Sequence, residues 1–278
     1  MRFRPVAIIV LLLVAAVEPA AAQSQELIVP VVVSGTVKSP LHFQTILRIL
    51  NPSTEARTVT VRIYDDAGTQ VRVDQVFCVA GSPLLVLPGP ELSLQIASNG
   101  SSELSSLGNL ALFTGWASIR FEGAQTIQAS SETALIDAPP APCIQPICAR
   151  PSTEIVTSVQ LGATAAATEF RATASITDKR ESAYALVNPS ATQTATIELD
   201  AYNSSGMVVD QNTLKIPPLG RISKFLFELL NLGKVFIQTP QRPTAYHGSV
   251  RFRSDIPIAV AGLNVLSPEG KLVNLPTK

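Results

Sequence analysis

Histidine is nearly absent. The 278-residue chain carries two, His42 and His247, far apart in sequence. None of the H-E-x-x-H, G-x-S-x-G, P-loop or dinucleotide-binding patterns occurs. An enzyme needs convergent acid, base or nucleophilic groups. The sequence shows no cluster of them, so no catalytic residue is expected. Charge is also scarce. Charged residues make up 15% of the chain, and 21 basic residues balance 21 acidic ones. A chain this close to neutral exerts no global draw on nucleic acid or on an anionic membrane. Three cysteines without nearby histidines do not make the usual zinc set. Asp65 and Asp66 sit at a glycine turn, but calcium wants six or more oxygens, and turn chemistry is the preferred reading. No metal or cofactor is expected.

Long apolar runs are missing too, with one exception at the N-terminus. Val6 to Val17 is almost wholly apolar. At about a dozen residues it is too short for a membrane helix, which needs roughly 20. Arg2 and Arg4 precede it, and Ala20 and Ala22 follow in an A-x-A arrangement. Residues 1–22 are therefore expected to be a secretory signal peptide, cut after Ala22. The remainder is expected to be exported to the periplasm, the cell surface or the medium, without a membrane span.

What the chain does have is β-forming residues and a repeat. "ILNPSTEARTVTVRIYDDAG" (Ile49 to Gly68) is echoed by "LVNPSATQTATIELDAYNSSG" (Leu186 to Gly206). Val59, Val61 and Ile63 alternate with polar residues in the first copy, and Ala195, Ile197, Leu199 and Ala201 do so in the second. Period two means one buried and one wet face. Pro52 and Pro189 end a preceding strand, and Gly68 and Gly206 suit a hairpin turn. A second echo aligns "GWASIRFEGAQTIQAS" (Gly115 to Ser130) without gaps on "YHGSVRFRSDIPIAVA" (Tyr246 to Ala261). Two echoes in one order imply duplicated domains. The expected fold is all-β, two tandem antiparallel sandwiches, with module one at 25–137 and module two at 151–278.

Between them, residues 138–150 form a proline-rich linker, extended and semi-rigid, expected to hold the two modules apart. It contains "CIQPIC", and Cys143 and Cys148 are expected to bridge. Loop-closure entropy for so short a ring suggests roughly 2 kcal/mol. Cys78 is left over, and three roles stay open for it: a buried free thiol, an intermolecular link, or the partner of either linker cysteine.

One stretch breaks the β pattern. In "RISKFLFELLNLG", Ile222, Phe225, Leu226, Leu229 and Leu230 fall on one face of a helix, with Gly233 as its stop. The plain reading is a short helix plugging the end of the second sandwich. The sharper one is a partner-binding helix using Phe227 on the other side. Module one has no matching helix in "SSELSSLGNLALF".

The hairpin Leu186–Gly206, the turn "PPLG" (Pro217 to Gly220), "FLFELL" (Phe225 to Leu230) and the strand pair from Gly248 to Leu263 together resemble tandem immunoglobulin-like sandwich modules of secreted bacterial proteins of unknown function. In module one the resemblance is limited to the hairpin and the Trp116 strand. It implies display or adhesion scaffolds and supplies no catalytic residues.

The most informative side chains are aromatic. Alternation puts Trp116 on an outward face, close to Phe113, and the ungapped echo puts Tyr246 and His247 at the matching place. Phe113, Trp116, Tyr246 and His247 are the candidate binding residues. Outward aromatics stack on sugars or seed a protein interface, unless a loop or the other module covers them. The leading expectation is a non-catalytic exported scaffold that binds a protein or glycan partner. A carbohydrate-binding protein, and a pilus-chaperone-like protein that works by strand addition, are the alternatives.

Overall fold

The alternation of Val59, Val61 and Ile63 with threonine and arginine produces a strand with one dry face, and all three residues are fully buried. A computed structural model describes residues 24–38, 41–79, 89–106, 111–123, 127–137, 155–177, 179–230, 246–266 and 271–275. The first sandwich contains β1 (Ser24–Lys38), β2 (Leu41–Leu50), β3 (Arg57–Asp65), β4 (Gln70–Val71), α1 (Val73–Val76), β5 (Phe77–Val79), β6 (Glu91–Ile96), β7 (Ser101–Ser106), β8 (Phe113–Glu122) and β9 (Gln128–Asp137). β10 (Ile155–Gly162) follows the linker. The second sandwich contains β11 (Ala167–Ile176), β12 (Arg180–Val187), β13 (Ala195–Asn203), β14 (Val208–Ile216), β15 (Arg221–Phe225), α2 (Leu226–Leu229), β16 (Tyr246–Leu266) and β17 (Lys271–Leu275).

Every ladder between the described strands is antiparallel. In the first sandwich one layer is β1–β8–β3, with β4 and β6 both on the far side of β3. The other is β10–β9–β2–β7–β5. Between the layers lie Val59, Val61, Ile119 and Phe121 from the first and Leu47, Ile49 and Leu104 from the second. Strand β1 serves both layers. It pairs with β8 up to Ser34 and with β2 from Gly35 onward. Gly35 has φ 115, a conformation that glycine adopts without steric cost.

The second sandwich repeats this plan with fewer breaks. One layer is β14–β13–β16–β11 and the other is β15–β12–β16–β17. The 21-residue β16 runs through both, pairing with β11 and β13 in its first half and with β12 and β17 in its second. Module one divides that same path into β8 and β9. Ile197, Leu199, Phe252, Tyr184, Leu186 and Val260 fill the second core.

Register refines the second echo. Gly115 stands opposite Asp65, and Gly248 stands opposite Asn203. A Cβ on Gly115 would run into the carbonyl of Tyr64, and one on Gly248 into that of Tyr202. The equivalent residues are therefore Gly115 and Gly248, two positions away from the ungapped alignment. A two-residue slip keeps every side chain on its own face, so alternation alone does not detect it.

The helix expected from Ile222 is shorter than its pattern. Arg221 to Phe225 pair with β12 as a strand, and only Leu226–Leu229 form a helical turn. Leu226, Leu229 and Leu230 are buried in the second core, so the plug is real. Phe227 is 42% exposed and its ring stacks beside Phe225 at 5.8 Å. In module one, Ser101–Ser106 is strand, and a helical turn not anticipated from sequence lies at Val73–Val76. Gly233, Cys143 and Cys148 lie outside the described residues. Cys78 belongs to β5, opposite Ser105.

Candidate functional site

The N-P-S motif is built around its asparagine. Asn51 and Asn188 are both fully buried. The amide of Asn51 donates to the carbonyls of Glu55, Ile96 and Ala97 at 2.7, 3.2 and 3.0 Å. Asn188 donates to Gln193, Ile216 and Pro217 at 2.7, 3.1 and 3.0 Å. Each side-chain oxygen accepts the backbone N–H two residues on, from Ser53 or Ser190. One buried amide thus ties the hairpin to the turn after the neighbouring edge strand, twice over. The turns match as well. Gly100 donates to Ala97 and Gly220 to Pro217, both at 3.0 Å. The residue before each glycine has positive φ, 53° for Asn99 and 58° for Leu219.

Asparagine tolerates that conformation; leucine rarely adopts it, at a strain of order 1–3 kcal/mol. Leu219 is held there by the first module. Its carbonyl accepts the Trp116 indole N–H at 2.9 Å, and its side chain packs with Trp116, Tyr64, Ile28, Val187 and Ala259. Trp116 is 1% exposed and stacks on Tyr64 with centroids 4.4 Å apart and planes 16° apart. Of the two readings of this outward aromatic, the covered one holds: Trp116 points out of its own sandwich, and the second sandwich covers it.

Arg221 fastens the same seam. Its side chain is 4% exposed. One terminal nitrogen donates to Asp66 at 2.9 Å and to the Gly115 carbonyl at 2.7 Å, and the other donates to Ser223 at 2.5 Å. Its backbone N–H donates to the Asp66 carbonyl at 3.0 Å. Burial pulls the guanidinium below its usual pKa, and the Asp66 charge opposes that shift. A buried charge is tolerated only when paired in this way. The Asp65–Asp66 turn is thereby explained: Asp65 accepts the Thr69 N–H at 2.7 Å, and Asp66 also accepts Thr114 at 2.5 Å.

The contact continues along the sheets. Val31, Val159, Leu161, Ala185 and Ala261 form a further buried cluster drawn from β1, β10, β12 and β16. Strand β10 falls within the residues expected for module two (151–278), yet it pairs with β9 over seven registered residues and completes a layer of the first sandwich. The modules are therefore packed on each other, and the expectation of a linker holding them apart is corrected. The small side chains Ala185 and Ala261 allow the sheets this approach, a feature that hydrophobic alternation does not reveal.

The other candidate residues do not converge. Tyr246 is 8% exposed, and its hydroxyl lies 2.9 Å from the Tyr202 carbonyl and 3.2 Å from that of Ser249. Burial pushes its pKa up to about 12. Phe113 is half-buried against the first core. Phe113 and Tyr246 are equivalent residues, each lying over the strand glycine beside it. His247 is exposed.

The second module's copy of the covered face carries different chemistry. Where module one has Trp116 opposite Tyr64, module two has Ser249 opposite Tyr202. Around Tyr202 run charged rows. Asp200 is 3% exposed. It accepts Arg251 through Nε at 3.1 Å and Nη2 at 2.5 Å, and Gln211 at 2.7 Å. Burial alone would raise the Asp200 pKa, but these donors hold it below the usual carboxylate range. Arg251 also lies over the Tyr202 ring, 5.6 Å from its centroid. One row along, Arg253 pairs with Glu198 at 2.7 Å. A groove of about 590 Å³ crosses these rows, lined by Glu198, Asp200, Gln211, Asn212, Thr213 and Arg253 among others.

Among the described residues no helix is long and apolar enough to cross a membrane, and no group of three or more His, Cys, Asp or Glu is arranged to hold a metal. Searches against family models, curated proteins and solved structures each found no match to this chain.

Proposed function

We propose that the chain is a non-catalytic, exported binding scaffold in which two immunoglobulin-like sandwiches act as a single block. The supporting observation is the seam. Module one's outward aromatics and Asp66 are engaged with Leu219 and Arg221 of module two, while module two's equivalent sheet face carries no such cover among the described residues. Such an arrangement suits a rigid support that presents one face to a partner. The signal-like N-terminus agrees with a place in the periplasm, on the cell surface or in the medium.

The test is a fractionation joined to an activity screen. The full chain, expressed in a bacterium, is expected outside the cytoplasm, and the purified protein is expected to show no turnover on a panel of ester, peptide, phosphate and glycoside substrates. Turnover abolished by one substitution would overturn the non-catalytic reading. Retention in the cytoplasm with residues 1–22 intact would overturn the exported one.

A further inference from the structure

We infer that the face of module two left uncovered among the described residues, centred on the groove lined by Glu198, Asp200, Gln211, Thr213 and Arg253, is a binding site for a neutral polysaccharide chain. The inference rests on the reading of the chain as an exported binding protein and adds the site and the ligand class.

The chemistry of the face selects the ligand. Arg251 and Arg253 stand opposite Asp200 and Glu198 on β13, Arg253 also stands opposite Glu169 on β11, and Arg171 pairs with Glu169 on its own strand, so three arginines and three acids balance on this face. A polyanion gains little from such a surface, because its affinity comes from releasing counterions to a cationic patch. An apolar protein partner finds no dry centre there, which a stable interface needs. A polyhydroxylated chain needs alternating donors and acceptors in fixed positions, and the rows supply them. Arg253 and Gln211 offer N–H groups. Glu198 and Thr213 offer acceptors, and both are exposed on the groove. Asp200 is held by Arg251 and Gln211, so the row is organised before any ligand arrives, which lowers the entropic cost of binding.

Tyr202 supplies the platform. It stands two residues beyond Asp200 on the same face of β13, about 7 Å along the strand. Its ring is half-buried, with Arg251 over one face at 5.6 Å from the centroid, and the sugar would take the opposite face. A pyranose presents a C–H face that packs on an aromatic ring, so one sugar on Tyr202 places the next over the groove.

Calorimetric titration of the intact protein with cellohexaose, maltohexaose and chitohexaose tests this, with polygalacturonate and heparin as acidic probes. At least one neutral hexasaccharide should bind, with affinity insensitive to salt. Tyr202→Ala should weaken binding about three- to tenfold. Arg253→Ala should weaken it by a comparable factor. Both substitutions should leave the unfolding midpoint unchanged, as expected for partly exposed positions. Absence of binding by every neutral probe, or binding that survives both substitutions, overturns the site and leaves the scaffold reading standing. Stronger, salt-sensitive binding of the acidic probes overturns the ligand class. A bound sugar that is shortened during the titration supports the site and overturns the non-catalytic reading.

Discussion

Module one and module two start from the same hairpin and end with opposite outer faces. In module one the strand tyrosine, Tyr64, lies under a tryptophan and is 4% exposed. In module two its counterpart, Tyr202, lies beside arginine and remains half-exposed. Both cores draw Val, Ile, Leu and Phe from alternating positions, and module two's adds Ala172, Ala174, Ala195, Ala201, Tyr184 and Tyr246; each module also carries a buried asparagine at its hairpin. The two modules share what the fold needs, and their outer faces differ: one is a seam, and the other has no cover among the described residues. The strained residue marks the division of labour. Asn99 takes positive φ comfortably, while Leu219 takes it at a position held against Trp116.

The sharpest test of sameness is the asparagine pair. Asn51→Ala or Asn188→Ala removes the amide from three carbonyls and the acceptor from one N–H, while the Ala97 and Pro217 carbonyls keep the Gly100 and Gly220 N–H. Each should destabilise its module by at least about 3 kcal/mol, measured by urea denaturation. The three amide donations match one for one, and Asn51 alone also accepts the Ser53 hydroxyl, so the two losses should agree to within about 1 kcal/mol. A module that tolerates the change would break the equivalence.

The seam should show the largest difference between modules. Trp116→Ala removes a buried aromatic, worth about 3–5 kcal/mol in a core, and here the loss falls on the contact between modules. Calorimetry should resolve one unfolding transition in the parent protein and two in the variant. Module two has no comparable residue at Ser249, and Ser249→Ala should leave the single transition intact.

Acid should distinguish the faces further. The folded Asp200 pKa lies below its unfolded value of about 3.9, held there by Arg251 and Gln211 despite burial. Its contribution is therefore complete above the unfolded value and is lost as pH falls through the folded one. Stability should decline below about pH 4, and Asp200→Asn should flatten that part of the profile while lowering stability at neutral pH. A profile unchanged by Asp200→Asn would remove Asp200 from the account.

The smallest effect is expected at Leu219. Leu219→Asn relieves strain of order 1–3 kcal/mol and loses apolar contact of similar size. The net change should stay within about 1 kcal/mol, and the Trp116 hydrogen bond to the backbone carbonyl should persist.

The duplication was legible because a β-strand repeats every two residues and a turn needs particular residues. Both cores followed from that. The same period hid the true register of the second echo, since a slip of two conserves burial. Asn51 and Asn188 were visible as part of a motif, but their partners at Ile96, Ala97, Ile216 and Pro217 are distant in sequence, so the hub could not be derived from the hairpin alone. Alternation also turns Trp116 outward, as the structure shows. Its cover comes from Leu219, Val187 and Ala259, residues that otherwise look like an ordinary turn and ordinary strands. Arg221 gave no signal: an arginine at a strand start is commonly solvated, and only the fold brings it to Asp66. The apparent helix from Ile222 failed because its apolar spacing also serves a strand that runs straight into a helical turn.

The protein contains one tryptophan, so the seam carries its own reporter. Acrylamide quenching of intrinsic fluorescence tests the packing of the two modules most directly. A seam closed by Leu219 and Arg221 predicts a blue-shifted emission with weak quenching, and a shift toward free-indole behaviour in Arg221→Ala. Emission at the free-indole wavelength with full quenching in the unaltered protein would show the sandwiches apart and contradict the account.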